Sequence, residues 1–255
     1  MDRLEAAAIV VPGVQVRVME RCSSTNDVLM AEDARASPVL LAAETQSAGR
    51  GRRGRRWLSD RGCGITFSLA VNCVRPLREL SALSLVAGVA VARALRACGA
   101  ARISLKWPND LVVADAKLGG ILVVTRAAAA ATRVVIGVGL NFRDASGLGN
   151  RLRRRVASLD QFVSPLPRRN EVIRRLAQAL LEALQSFDAR GFDAARSDWE
   201  AMDAHAGQRL RVRLADGRVL TGLSCGLADD GGLRLRTRAG MRAIHSGRVV
   251  SSRAA

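Results

Sequence analysis

Histidine is nearly missing from this chain. His205 and His245 are the only two and lie far apart, which leaves histidine metal sites and histidine-based triads with little material. Both read as ordinary surface or turn residues. The five cysteines (Cys22, Cys63, Cys73, Cys98, Cys225) are odd in number and scattered, with no C-x-x-C pair, so neither a disulfide framework nor a zinc site is indicated. Reduced thiols in a cytoplasmic protein fit that pattern. Long apolar runs are absent as well. Asp2, Arg3 and Glu5 open the chain and Pro12-Gly13 breaks the short run that follows, so no signal-peptide core is expected. The most apolar helical stretch, around Ser84 to Leu95, is interrupted by Arg93 and reads as too short to cross a bilayer, so no membrane association is expected. No internal repeat is visible, and the only low-complexity stretch, Ala127 to Ala131, reads as a surface turn.

Lysine is the most informative scarcity. Of 40 basic residues only Lys106 and Lys117 are lysine, and tyrosine does not occur at all. A net charge of +17 points first to nucleic acid, acidic surfaces or anionic ligands. Arginine is so dominant, however, that part of this charge is compositional. Where surface cations are written as Arg by default, the two lysines mark places where a compact, flexible ammonium is needed and a planar fork does not serve.

With 255 residues and 49% hydrophobic residues, the chain has enough material for a large domain with a substantial core plus a small one. Val14 to Met19 and the apolar run Val39 to Ala43 read as strands, as do Gly64 to Val71 and Arg133 to Leu140. Leu77 to Cys98 is apolar on most faces and reads as a covered central helix stopped by Gly99. Arg151 to Arg155 reads as a solvated basic loop, followed by a short helix from Ser158. Arg169 to Arg190 carries Val172, Leu176, Leu180, Leu184 and Phe187 on one stripe and predicts a long amphipathic helix; Phe192 to Met202 predicts a shorter one. After Gly207 the pattern changes to four short alternating segments separated by Asp216-Gly217, Asp230-Gly231 and Ala239-Gly240, which are hairpin signals. They predict a small β-barrel appended to the main domain, with residues 1–205 as the larger unit and 206–255 as the smaller.

Several polar motifs sit at the ends of these elements. Ser23-Ser24-Thr25-Asn26-Asp27 precedes an apolar run and reads as a helix N-terminus with Ser24 or Thr25 as cap, leaving polar groups over for a ligand. Glycine and arginine fill every position from Gly49 to Arg56, between Gln46 and Trp57; such a segment cannot be core and reads as a mobile loop that closes on an anion. Pro108, Asn109 and Asp110 form a turn that presents Lys106 beside them. Lys117-Leu118-Gly119-Gly120 opens a strand, and Gly137-Val138-Gly139-Leu140-Asn141 clears one face of another. No nucleophile is paired with a base. This inventory suits the holding of two anions against each other, as when a carboxylate attacks the α-phosphate of ATP, because fixed cations and N–H donors offset their repulsion. A loop closing afterwards would shield the acyl adenylate from water.

The motifs Ser24-Thr25-Asn26, Gln46, Gly49 to Gly54, Lys106 to Asp110, Lys117 to Leu122 and Gly137 to Asn141 resemble, in order and spacing, those of the biotin protein ligases. The resemblance implies an α+β fold, a class II synthetase-like catalytic domain whose central mixed β-sheet is flanked by helices, with a C-terminal SH3-like barrel. It implies that biotin and MgATP give biotinyl-5'-AMP and pyrophosphate, and that a lysine of a biotin carboxyl carrier protein, as in acetyl-CoA carboxylase, then takes the biotinyl group. Carried onto this sequence, Ser24, Thr25, Asn26 and Gln46 would hold the biotin head group, and Arg50, Gly51 and Arg52 would close over biotin and phosphate. Lys117 would contact the carboxylate and α-phosphate, with Gly120 and Gly139 giving way to the ligand. Trp57 would pack on adenine, Asn141 would bond the nucleotide, and Arg53, Lys106 and Asn109 would complete the ATP side. Lys117, Arg52 and Asp110 would be the catalytic set, with Asp110 meeting the incoming lysine or magnesium, although turn stabilisation explains Lys106 and Asp110 equally well. Magnesium would arrive with ATP, and no protein metal site is expected.

The short stretch before Ser24 leaves no room for the helix-turn-helix module that some relatives carry, so DNA binding as a repressor is not expected. A monomer or homodimer is compatible with the sequence. A lipoate or octanoate ligase or transferase of related fold is the alternative that the Arg50 to Gly54 and Lys106 to Asp110 motifs disfavour. A non-enzymatic basic nucleic-acid binder is the other.

Overall fold

A computed structural model describes residues 2–32, 38–127, 131–144, 146–152 and 154–253. The middle of the Ala127 to Ala131 run and Arg153 of the basic run lie outside the described residues. Seven strands form the main sheet: Gln15–Cys22 (β1), Val39–Gln46 (β2), Gly64–Cys73 (β3), Ser104–Lys106 (β4), Asp110–Val113 (β5), Ala116–Ala127 (β6) and Thr132–Asn141 (β7). Their order is β1-β2-β3-β7-β6-β5-β4, with β1 and β2 parallel and the other neighbours antiparallel. Strands β2, β3 and β7 are buried almost end to end, which is why they read as near-continuous apolar runs rather than alternating ones. The sheet is mixed, as expected.

The helices are Thr25–Ala31 (α1), Leu83–Ala97 (α2), Ser146–Leu152 (α3), Arg169–Arg190 (α4) and Asp193–Ala201 (α5). The expected helix from Leu77 divides into a 3-10 stretch, Leu77–Ala82, and α2, because extended Pro76 opens it and Ser81 Oγ donates to the Asp230 carbonyl at 2.7 Å. The full Leu77–Ala97 span is long and apolar enough to cross a membrane by length, contrary to the sequence reading, yet it is mostly buried and packs on α4 and α5 in the core. The α4 stripe Val172, Leu176, Leu180, Leu184 and Phe187 is buried as its spacing predicts. Gly191 then ends α4 at φ 70°, in the left-handed region open to glycine. Helix α3 was not anticipated; Gly147 and Gly149 lower its intrinsic preference.

The C-terminal unit is a five-stranded antiparallel sheet: Arg209–Leu214 (β8), Val219–Leu227 (β9), Leu233–Thr237 (β10), Gly240–Ile244 (β11) and Gly247–Arg253 (β12), in the order β11-β10-β9-β8-β12. The fifth strand escaped the pattern because a bulge between Val249 and Ser251 interrupts its alternation. The Trp107 indole N–H donates to the Gly231 carbonyl at 3.2 Å, and Leu105 exchanges backbone hydrogen bonds with Met202 and Ala204, so the β4–β5 hairpin is fastened to this sheet. His205, read as a surface residue, is buried at this junction. Burial, reinforced by the nearby Lys106 charge, pulls its imidazole down to about 4. Burial likewise pushes the Asp203 carboxyl up to about 6 against the His205 N–H it accepts.

The N-terminus is held by a buried charge cluster. Arg169, 1% exposed, donates to Glu44 Oε2 at 2.8 Å and to Asp2 Oδ1 at 3.0 Å, while Glu44 Oε1 also accepts the Leu4 N–H at 2.7 Å. Burial alone would raise the carboxyl of Glu44, but the Arg169 and Leu4 hydrogen bonds and the guanidinium charge outweigh it and hold it below the usual range; Asp2 is depressed in the same way. Removing Arg169 leaves Glu44 as an uncompensated buried charge, a loss of about 3 to 5 kcal/mol. Arg169→Leu is therefore expected to lower the urea midpoint strongly at pH 7. Because the folded carboxyls titrate below their unfolded values, the difference between wild type and variant should be full above the unfolded carboxylate value and shrink as pH falls below about 4. A pH-independent difference would contradict this account.

Candidate anion-binding site

The polar cluster after β1 folds in on itself. Ser24 caps α1, its Oγ accepting the Asp27 N–H at 3.5 Å. Gln46 Oε1 accepts from the Thr25 N–H at 2.7 Å and from Thr25 Oγ1 at 3.2 Å. Asn26 Nδ2 donates to the Leu122 carbonyl at 3.1 Å. Ser68, on β3, lies 2.5 Å from Asn26 Oδ1, which can only accept its proton, and 2.7 Å from Thr25 Oγ1, so its hydroxyl stands between the two side chains. Nothing in the sequence pattern pointed to Ser68; it is simply an inward residue of a buried strand. Ser24, Thr25, Asn26 and Gln46 make one wall of a cavity of about 450 Å³, with Ser68 behind them.

The Gly/Arg loop makes the opposite wall. Expected to be mobile, it is folded over the cavity here. Gly51 N–H donates to the Arg55 carbonyl at 2.7 Å and Trp57 N–H to the Gly49 carbonyl at 2.8 Å, closing a small hairpin around a 3-10 turn at Arg52–Gly54. Arg53 sits at φ 57°, a left-handed position uncommon for any residue other than glycine, and its guanidinium donates to Ser246 Oγ at 3.0 Å instead of entering the cavity. Arg50 pairs with Asp27 at 2.6 Å, and Arg56 donates to the Ser47 carbonyl at 2.7 Å.

Two glycines on β7 decide how close these walls come. A side-chain carbon at Gly137 would lie 2.0 Å from Asn26 Oδ1, and one at Gly139 would lie 2.4 Å from Trp57 Cε2. The cleared face of β7 is thus filled by Asn26 and by the Trp57 ring, and the indole N–H has no acceptor among the described residues.

Lys117 projects from β6 across Gly120, bonds Asp110 at the start of β5, and lies 5.7 Å from the centre of the Trp57 ring. Burial draws its ammonium below the usual lysine value, and the Asp110 charge opposes that shift. Burial acts the same way on Lys106, with Asp110 and Asp115 opposing. Arg52 and Arg154 are weakened as cations by burial and by neighbouring arginines, again with Asp110 pulling the other way. Among the described residues, seven cations, Arg50, Arg52, Arg55, Arg56, Lys117, Arg154 and Arg248, and no carboxylate, line the cavity.

Of the residues singled out by sequence, Ser24, Thr25, Asn26, Gln46, Arg50, Gly51, Arg52, Trp57, Asn109, Lys117, Gly120 and Gly139 line the cavity together. Arg53, Lys106, Asp110 and Asn141 do not. Asp110 reaches it only through Lys117, and the Asn141 amide spends both protons on the Lys117 and Ala157 carbonyls, each at 3.0 Å. Arg154 and Arg248 were missed; in a chain this rich in arginine neither carried a distinguishing signal.

Residues 18–141 match the biotin/lipoate A/B protein ligase family, and residues 205–251 match the biotin protein ligase C-terminal domain. The chain is 35% identical to a biotin--[acetyl-CoA-carboxylase] ligase of Mycobacterium tuberculosis, over 94% of this chain and 90% of that protein. It is 33% identical to the bifunctional ligase/repressor BirA of Escherichia coli over 88% of this chain, and spans 64% of the length of the corresponding Bacillus spizizenii protein. Among solved structures, the biotin protein ligase of Aquifex aeolicus in complex with biotin and ATP superposes with a TM-score of 0.80 at 28% identity, covering 94% of this chain and 99% of that one. With its glycine-cleared strand, its lysine-bearing neighbour and its arginine loop in that shared framework, the chain belongs to the biotin protein ligase family.

Proposed function

We propose that this protein activates biotin with ATP and transfers the biotinyl group to a lysine of a biotin carboxyl carrier domain. The observation that carries the reading is the cavity wall of seven cations without a carboxylate, set opposite a neutral polar wall. A carboxylate and a triphosphate cannot approach each other unless their charges are offset, and well-placed donors contribute about 3 to 4 kcal/mol each in comparable sites.

In this reading the neutral wall of Ser24, Thr25, Asn26 and Gln46 takes the biotin head group, and the carboxylate tail points to Lys117. A carboxylate oxygen attacks the α-phosphorus, the bond to the bridging oxygen breaks, and pyrophosphate leaves. Lys117, held by Asp110, lies between the two anions; Arg50, Gly51 and Arg52 cover them. Trp57, half-buried on the cavity wall with an indole N–H that has no acceptor among the described residues, packs on the nucleotide in this reading. A neutral lysine amine of the carrier then attacks the carbonyl of the mixed anhydride, AMP departs, and the amide nitrogen loses its extra proton. Magnesium would come with ATP, because the cavity wall supplies cations and, among the described residues, no carboxylate to hold the ion. Residues 1–205 form the catalytic unit in this reading and 206–255 the accessory one. The cellular site implied is the cytoplasm, where carrier and ATP meet.

Biotin-dependent exchange of pyrophosphate into ATP tests the first step. Wild type should catalyse it without covalent AMP on the protein, and Lys117→Ala should lose it by on the order of 100-fold or more while remaining folded. No exchange in the intact protein would overturn the assignment, and AMP found on Lys106 or Lys117 would overturn the mechanism. The lid gives a second test. Gly139→Ala should displace Trp57 and speed trypsin cleavage within Arg50 to Arg56 by about ten-fold, the equivalent of a modest overpacking cost. Biotin with ATP should slow the cleavage of wild type. Equal cleavage of both proteins would mean that Trp57 does not anchor the loop.

A further inference from the structure

The C-terminal sheet carries a charge arrangement that the reaction chemistry leaves unused. Strand β8 alternates cleanly, with Leu210 and Val212 buried and Arg209, Arg211 and Arg213 exposed on the other face. Its neighbour β12 places Arg248 opposite Arg213 and Arg253 opposite Arg209. Like charges directly opposed across an antiparallel pair are unfavourable by a few tenths of a kcal/mol to about 1 kcal/mol. The chain does not neutralise them. None of these five arginines has an acidic partner within 4.0 Å among the described residues. The acids of the C-terminal unit are engaged in turns: Asp216 with Arg218, Asp229 with Arg196, and Asp230 with His245.

A compositional excess of arginine explains isolated exposed guanidiniums. It does not explain why they stand in register, nor where the row leads. Arg248 is also one of the seven cations on the cavity wall, close enough to Lys106 and Arg154 to depress both. The row therefore begins at the cavity and runs about 13 Å along β8 from Arg213 to Arg209, at 3.3 to 3.4 Å per residue.

We propose that this arginine ladder is the docking surface for the carrier domain, and that it reads an acidic face flanking the carrier's acceptor lysine. The proposal rests on the function given above, which requires a protein to deliver a lysine amine to the mouth of this cavity. A polyanion bound along the ladder has its end at that mouth, which is the geometry a lysine-presenting domain needs and a nucleic acid does not. The ladder also settles a charge problem of the second step. The acceptor lysine arrives as an ammonium, before it gives up the proton that frees its amine; approaching seven cations it is repelled unless negative charge travels with it, and acidic residues beside it on the carrier supply that charge while the ladder holds them.

The test uses the full chain carrying Arg209→Gln, Arg211→Gln and Arg213→Gln together, none of which lines the cavity. Biotin-dependent pyrophosphate exchange is expected to match wild type. With a purified, unbiotinylated carrier domain as acceptor, KM at low salt is expected to rise on the order of ten-fold with kcat little changed, and its dependence on salt to flatten. The Arg→Lys version of the same triple variant should retain the wild-type KM. The melting midpoint of the Gln variant should not fall, since opposed like charges have been removed. An unchanged carrier KM and salt slope would overturn the proposal. So would a variant whose carrier kinetics are intact while its binding to a labelled DNA duplex, measured by anisotropy, is lost. Failure of wild type to exchange pyrophosphate would instead count against the underlying ligase reading.

Discussion

Cations brought into one cavity repel one another, and much of this structure can be understood as the means of holding them there. Only two carboxylates help directly. Asp27 takes Arg50 at the outer end, and Asp110 takes Lys117 at the inner end while its field also reaches Lys106, Arg52 and Arg154. Neither carboxylate faces the cavity itself. The result is a site whose positive charge is partly compensated from behind and left open in front. An anionic ligand relieves the remaining repulsion, so the same feature that weakens the empty site strengthens the occupied one.

Such an arrangement needs a rigid support. The β6–β7 pair supplies it: these strands are hydrogen-bonded from Gly119 to Ala127, and they place Gly120 beside Gly139. The N-terminal strands are held independently by the buried Arg169 cluster, which joins Asp2, Glu44 and the start of α4. That cluster fixes β2, and β2 ends at Gln46, whose carbonyl oxygen orders Thr25. A charge network at one end of the strand therefore supports a neutral polar wall at the other. The loop from Gly49 to Trp57 departs from that same strand end, so its hinge is anchored, while its tip is held by Arg53 on Ser246 and its flanks by Arg50 on Asp27, Arg56 on the Ser47 carbonyl and the seating of Trp57 on Gly139.

Features dictated by local chemistry were legible in the sequence. The α4 helix follows from one apolar stripe and a terminating glycine, the β4–β5 turn from Pro108, and the close approach over β7 from its alternate glycines. What escaped depends on assembly. Ser68 matters because β3 lies beside β7, which brings it under α1. Arg248 matters because a bulged strand from a second sheet reaches the cavity mouth. His205 is buried because the junction between the sheets closes over it, and its sequence surroundings, Asp203, Ala204 and Ala206, carry no sign of that. The alternate glycines of β7 border the cavity, and Asn26 and Trp57 also close on them; an absent side chain reveals a close approach and not the identity of the group that approaches.

The two lysines show how far a compositional clue extends. Both are drawn below the usual lysine range by burial, so both occupy places where a cation is costly to keep. For Lys117 the reason for lysine is geometric. Its ammonium fits between Asp110, the Trp57 ring and the bare backbone at Gly120, where even a methyl group would come within 3.1 Å of it. A planar guanidinium with its wider fork has no such slot, and it would also spread its charge over several atoms instead of concentrating it at one point. Lys106 stands off the cavity wall, beside His205 and Asp115, and meets the chemistry only through the field it shares with Asp110. Scarcity thus marked two half-buried ammonium groups, and the position of Lys117 on β6, beside β7, puts one of them on the cavity wall.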